Sequence, residues 1–329
     1  MSDAFDPSTL IRDYGDIAGE AAACRNDAAL FDFSFISSAA LSGSGVGAAL
    51  ATITNRPIAD LQPGKIRYAL RQDPAGYIES DLTLWNDGAR TLVMSGRHRD
   101  IADLAITDCA VENLSQTTAV FAVQGPKSLD VFDGLTDLAG LAALPYFGFS
   151  AFVLAGVRCL IGRLGYTGER GFEVIAPVDH GAAIWHRLAE RARPGGFAAA
   201  DRLRIEAGFV LFANEFRLPV RAADIGLSGF AGADDRPSRY RLVCFRAETE
   251  VDPVLWRAGG EVTPPTPGTI TITSVCHSEL AGGTLGLGYV VAAATTIDPV
   301  DPSGIFRNIH IFDLPFYDTA KRRPRGDWR

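Results

Sequence analysis

Apolar positions along this chain switch between a helical and an alternating period, and the switches mark its elements. Tyr14, Ile17, Ala21 and Cys24 fall on one helical face, and the apolar run from Ala28 to Ala40 after them predicts a strand. LSGSGVGAALATI predicts a strand, a turn and an Ala-rich helix. Its Gly43, Gly45 and Gly47 follow a G-x-G-x-G spacing, not G-x-G-x-x-G, and no repeated βαβ pattern follows, which argues against a dinucleotide loop. From Lys65 to Trp85 two alternating runs flank Asp73, Pro74, Ala75 and Gly76, the composition of a hairpin turn. A strand over Arg90 to Met94, a helix over Asp100 to Ala105 and a buried strand over Thr118 to Val123 complete the first half.

The second half repeats this order in outline. QGPKSLDVFDGL predicts a turn and a helix, SAFVLAGVRCLIGRL a hairpin through Ala155 and Gly156, and Ala182 to Ala192 a helix. Pro194, Gly195 and Gly196 break the chain before a helix expected from Ala199 to about Phe212. Residues 226–239 have linker composition, and beyond them YRLVCFRAE, GTITITSV and TLGLGYVVAAATTI are strand-like between Pro-rich and Gly-rich turns. Mixed elements of this kind predict an α+β fold, with the last strands forming a small barrel or sandwich.

Composition narrows the function. The 329 residues, 47% hydrophobic, suffice for a large core, and a net charge of −8 disfavours a nucleic-acid surface, which needs a concentrated excess of cations. The basic cluster Lys321, Arg322, Arg323, Arg325 and Arg329 has the composition of a solvated tail. The N-terminus lacks the basic-then-apolar pattern of a secretory signal, and the best apolar run, Phe197 to Phe216, is broken by Asp201, Arg202, Arg204, Glu206 and Glu215. A soluble, cytoplasmic protein without a membrane partner is expected. The five cysteines are widely spaced and predict reduced core thiols. Cys276 and His277, as strand neighbours, point to opposite faces, and no metal site is expected.

Carboxylates offer the candidate chemistry. Asp81 lies among Ile78, Leu82, Leu84 and Trp85 and shares a strand face with Glu79, a face that suits either solvent or a polar cavity. Glu169, between Gly168 and Gly171, is a carboxylate at a tight turn, either a surface acid or an acceptor for a planar heterocycle. Arg204 in DRLRIEAGFVLFANEF can pair an acid across its helix or reach a ligand carboxylate.

In order and separation these segments resemble the glycine cleavage T protein, or aminomethyltransferase, family. The resemblance is carried by Gly64 and Tyr68 in PGKIRY, Gly76 and Asp81 in AGYIESDL, then VMSGRHRD, FAVQGPKS, YTGERGFEV, DRLRIEAGFVLFANEF and, more loosely, ITSVCHSELAGGTLGLGYV. It implies a cloverleaf-like α+β fold with tetrahydrofolate in a central channel. Residues 1–230 would form a folate-binding region of two intertwined subdomains and residues 240–329 a β-barrel-like domain. Asp81 matches the family's catalytic acid, Glu169 would grip the pterin, and Tyr68, Tyr166 and Arg204 match positions near the folate. Ser95 stands where the family usually has Asn, with one hydroxyl instead of an amide. The implied activity is transfer of a methyl or methylene group from a small amine, ether or sulfonium donor, by a monomer or homodimer. The alternatives are a folate-binding accessory protein, whose K-G-C-Y-x-G-Q-E motif is missing here, and a fold reused for folate-independent chemistry.

Overall fold

The computed structural model describes residues 6–104, 108–232, 236–250, 262–293 and 297–328. They divide into two units, one drawn from residues 1–71, 80–200 and 321–329, the other from 72–79 and 201–320.

In the first unit, α1 (Ile17–Asn26) starts at Asp16, whose side chain accepts a hydrogen bond from the Gly19 amide at 2.9 Å. The apolar run after it forms two strands where one was expected, β1 (Ala29–Asp32) and β2 (Ser37–Ser42). The reason is local: Asp32 accepts from the Ser34 amide, and the Ile36 amide bonds back to Phe33, which turns the chain between them. Next come α2 (Val46–Ala51), β3 (Lys65–Gln72), β4 (Ile78–Asn86), β5 (Thr91–Ser95), α3 (His98–Ala102), β6 (Ala110–Asn113) and β7 (Thr118–Gln124). The β3 to β4 turn closes at 73–76, where the Tyr77 amide donates to Asp73. Helix α3 begins two residues before the expected Asp100, and the expected end at Ala105 lies outside the described residues. In QGPKSLDVFDGL the expected helix is a single 3-10 turn, Asp130–Phe132. The unit continues through α4 (Leu138–Ala142), β8 (Phe149–Leu154), β9 (Val157–Gly162), β10 (Gly171–Pro177), α5 (Val178–Ala189), β11 (Arg193–Gly195) and the start of α6 (Phe197–Glu206).

These strands make two sheets. One has six strands in the order β11-β1-β7-β10-β9-β8, the other five in the order β3-β4-β5-β2-β6. On the six-stranded sheet Phe121, Val123, Phe172 and Val174 bury one face against Phe132, Leu141, Ile184 and Leu188. On the five-stranded sheet Ala39, Leu41, Leu82, Leu84 and Val93 pack on Leu50, Ile53 and Ile101. Each large apolar side chain so buried contributes about 2 kcal/mol.

In the second unit, α6 stops at Glu206, short of the expected Phe212. Gly208 adopts a left-handed φ of +69° and its amide bonds to Ile205, while the Phe209 amide bonds to Arg204, a glycine-terminated helix end. After α7 (Phe212–Glu215), strands β12 (Tyr240–Thr249), β13 (Thr271–Ser278), β14 (Gly283–Val291) and β15 (Phe306–Phe312) pair antiparallel in the order β13-β14-β12-β15. Val243, Phe245, Val275, Val290 and Ile309 form their core. Among the described residues this is an open four-stranded sheet with edges at β13 and β15, and the expected barrel closure is not seen. No helix among the described residues is long and apolar enough to cross a membrane.

Candidate functional site

Alternation along β4 sends Ser80, Leu82 and Leu84 to the core and leaves Asp81, Thr83 and Trp85 on the opposite face. Asp81 is half-buried, and the Tyr68 hydroxyl on neighbouring β3 donates to its Oδ2 at 3.1 Å. Burial raises the Tyr68 phenol well above its ordinary pKa, and the charge of Asp81, its hydrogen bond and the proximity of Tyr166 push in the same direction. Tyr68 is therefore a neutral donor at physiological pH. Four residues beyond Asp81, the Trp85 indole is fully buried and donates to Thr83 Oγ1 at 2.9 Å. Its ring lies over Gly162 of β9, where a Cβ would come within 2.4 Å of two indole carbons. The Asp81 face of one sheet and the Gly162 face of the other are thus turned toward each other.

Ser95 lies behind Asp81. It is buried, and its hydroxyl donates to Asp100 Oδ2 at 2.7 Å and, at 3.4 Å, to the backbone carbonyl of Asp81. Ser80 also donates to Asp100 Oδ2, and Arg71 bonds the other oxygen at 3.0 Å. The fully buried Asp100 thereby ties β3, β4 and β5 together beneath Asp81. In the protein itself the Ser95 hydroxyl joins this network beside the Asp81 backbone.

The YTGERGFEV segment leaves β9 and enters β10. Thr167 donates to Gln124 Oε1 at 3.1 Å, and the Gln124 amide donates to the Leu164 carbonyl, which holds the loop against β7. Glu169 is buried and carries two cations: Arg25 from α1 lies 3.2 Å from Oε1 and Arg323 lies 3.5 Å from Oε2. Its charge is matched within the protein. Four residues on, Glu173 sits in register with Gly162 and Ala122 on the face turned toward Trp85. It is only 9% exposed, and among the described residues no hydrogen bond or ion pair meets its carboxyl. Burial pushes that carboxyl up to about 7. The Tyr146 phenol is raised by burial, with Arg325 and Arg163 opposing and Glu173 adding to the shift, so these four groups share one neighbourhood.

Known proteins are similar to this chain over most of its length. The family model of the GCVT N-terminal domain matches residues 7–235. A "Probable aminomethyltransferase" of Halobacterium salinarum is 32% identical over 348 residues, covering 93% of this chain and 92% of that one. An "Aminomethyltransferase" of Geobacillus kaustophilus is 30% identical over 94% of this chain and 92% of its own length. The chain belongs to the glycine cleavage T-protein family. Its fold is also that of the crystal structure of glycine cleavage system aminomethyltransferase T from Bartonella henselae, at a TM-score of 0.76 and 23% identity over 92% of this chain and 90% of that one.

Within this T-protein-family chain, sequence reasoning singled out Glu169 and passed over Glu173. The two glycines flagged Glu169, whereas Glu173 looks like an ordinary polar position on a half-exposed strand. The missed signal is the burial of its whole sheet face. Arg204 lies in the second unit, fully buried, and donates to Asp201 at 2.8 Å, to Glu215 at 2.8 Å, to Ser274 at 2.7 Å and to the Phe209 carbonyl at 3.1 Å. A guanidinium so committed is a scaffold for α6 and α7. Arg204→Met is expected to cost about 3–5 kcal/mol in urea unfolding, because Asp201 and Glu215 would keep buried charges without their cation; a loss under 1 kcal/mol would refute that role.

The basic C-terminal tail keeps Arg322, Arg323 and Arg325 exposed, as its composition predicts, but it is also docked. Residues 321–328 dock on the first unit, with Trp328 stacked on Phe172 at 4.8 Å; Arg329 lies outside the described residues. Burial pushes the Cys159 thiol up to about 11 and Cys244 up to about 12, as expected of inert core thiols, whereas Cys109 is only half-buried. Among the described residues no group of three His, Cys, Asp or Glu side chains could hold a metal ion.

Proposed function

We propose that this chain is a tetrahydrofolate-dependent one-carbon transferase of the aminomethyltransferase type, acting on a small amine, ether or sulfonium donor. The observation that carries this reading is Glu173, a buried carboxyl without a partner among the described residues, on a sheet surface facing the one that bears Asp81. A largely buried acid lacking protein donors must draw them from water or from a ligand. The pterin edge does so, since its ring N–H and amino group present two parallel donors to one carboxylate. The residues therefore fit the group. Glu173 is a better acceptor than Glu169, whose oxygens already face Arg25 and Arg323.

Tetrahydrofolate supplies a ring nitrogen nucleophile that accepts the one-carbon unit. Asp81 orients that reaction and holds or moves the proton it displaces, fixed by the Tyr68 hydroxyl on its side chain and by Ser95 on its backbone. The rings of Tyr68 and Tyr166 offer surfaces for a planar heterocycle. Residues 1–230 are assigned the folate and residues 240–329 an accessory β domain, whose last stretch, residues 321–329, belongs to the first compact unit. The family membership, with relatives named aminomethyltransferase over more than nine-tenths of the chain, supports the same reaction class.

Anaerobic calorimetry with tetrahydrofolate tests this directly. A dissociation constant near 1 μM, about −8 kcal/mol, is expected, followed by folate-dependent consumption of a methylated amine, ether or sulfonium when each class is supplied in turn. Folded protein that binds no tetrahydrofolate would end the proposal and favour a folate-independent use of the fold.

A further inference from the structure

The C-terminal segment makes more contacts than a chain end needs. Trp328 stacks on Phe172 with ring planes 13° apart, and the guanidinium carbons of Arg163 and Arg170 lie 5.0 and 5.9 Å from its ring centre. The same two arginines bond the strap's backbone, Arg163 donating to the Gly326 carbonyl and Arg170 to that of Asp327. Between this anchor and Lys321, Pro324 is buried, Arg325 lies 5.9 Å from the Tyr146 ring centre, and Arg323 reaches the buried Glu169. Phe172 and Glu173 are consecutive on β10, so Trp328 grips one face of the strand while Glu173 occupies the other.

We propose that Lys321–Trp328 is a positioning strap for the folate site: Trp328 is its anchor, and Arg323, by neutralising Glu169 from the side opposite Arg25, fixes the loop that leads into Glu173. This rests on the function proposed above. Two cations on Glu169 leave Glu173 as the acid that meets the ligand, whereas without Arg323 the buried Glu169 would lose part of its compensation and pull its loop toward water. Arg323 acts through Glu169 and is a positioning residue, not a catalytic one.

Full-length wild type, Arg323→Gln, Arg323→Lys and Trp328→Ala would be compared by tetrahydrofolate calorimetry and by the rate of trypsin cleavage after Lys321 to Arg325. Arg323→Gln is expected to weaken binding about tenfold with the tail still protected, and Arg323→Lys to restore most of the affinity. Trp328→Ala is expected to weaken binding comparably and to expose the tail, raising cleavage at least tenfold. Affinities within twofold of wild type in both Arg323→Gln and Trp328→Ala overturn the proposal, as does failure of lysine to rescue. Should wild type bind no tetrahydrofolate, the functional reading falls separately, and trypsin decides the strap: tail cleavage equally fast in wild type and Trp328→Ala overturns it, while protection lost only in the variant upholds it.

Discussion

Glu173→Gln should bind tetrahydrofolate about 100-fold more weakly than wild type and yet be the more stable protein at pH 8. The binding loss follows from trading an acceptor of two donors for an amide that accepts one and opposes the other with its own N–H; two charge-assisted bonds at about 1.5–3 kcal/mol each cover a loss of about 3 kcal/mol. The stability gain follows from linkage. Glu173 has a folded-state carboxyl raised from 4.5 to about 7 by burial, so the folded protein holds a proton there that the unfolded chain releases. Between pH 4.5 and 7 the folded state binds more protons, and stability falls as pH rises through that window, by up to about 3 kcal/mol. Glutamine carries no such charge. Urea unfolding at pH 5 and pH 8 reads the effect: the wild type should lose stability between the two and the variant should lose much less. The same proton makes wild-type folate binding tighten as pH rises toward 7, because the donors of the pterin edge favour the ionised acid. Identical pH profiles for the two proteins would show that Glu173 is solvated or paired in the folded state.

Asp81→Asn should leave folate binding within a few-fold and lower turnover by about 10²–10⁴. The variant keeps an oxygen for the Tyr68 hydroxyl, and the Ser95 contact is to the backbone of residue 81, so the strand has no cause to move. What is lost is the charge and the ability to take a proton. Single-turnover measurement of one-carbon transfer at saturating folate separates this from a binding defect, and turnover within threefold of wild type would remove Asp81 from the chemistry.

Local chemistry made much of this legible from sequence. The β3 to β4 hairpin follows from alternation on both sides of a turn whose Asp73 accepts the Tyr77 amide, contacts that span only a few residues. Asp81 and Tyr68 were named through the resemblance of PGKIRY and AGYIESDL to the T-protein family, not through the hairpin's local chemistry. Errors arose where local and tertiary signals compete. The run from Ala28 to Ala40 reads as one strand until the Asp32 side chain is seen to close a turn within it. The helix expected to reach Phe212 overran Gly208, whose left-handed backbone ends it. Glu173 was invisible because the packing over its sheet face is tertiary: Trp85, from another sheet, lies over Gly162, the register partner of Glu173. The docking of the tail was hidden by composition: five cations outweighed one tryptophan, and the partners that hold Trp328 are Arg163, Arg170 and Phe172, far away in sequence.

That distance has a consequence for synthesis. At about 5–20 residues per second, Trp328 is joined to the chain some 10–30 s after Phe172. Until then the nascent protein carries its six-stranded sheet with the Phe172 ring uncovered and Glu169 lacking its second cation. Chains cut short before Trp328 would still present that open surface, a difference a quality-control protease could read.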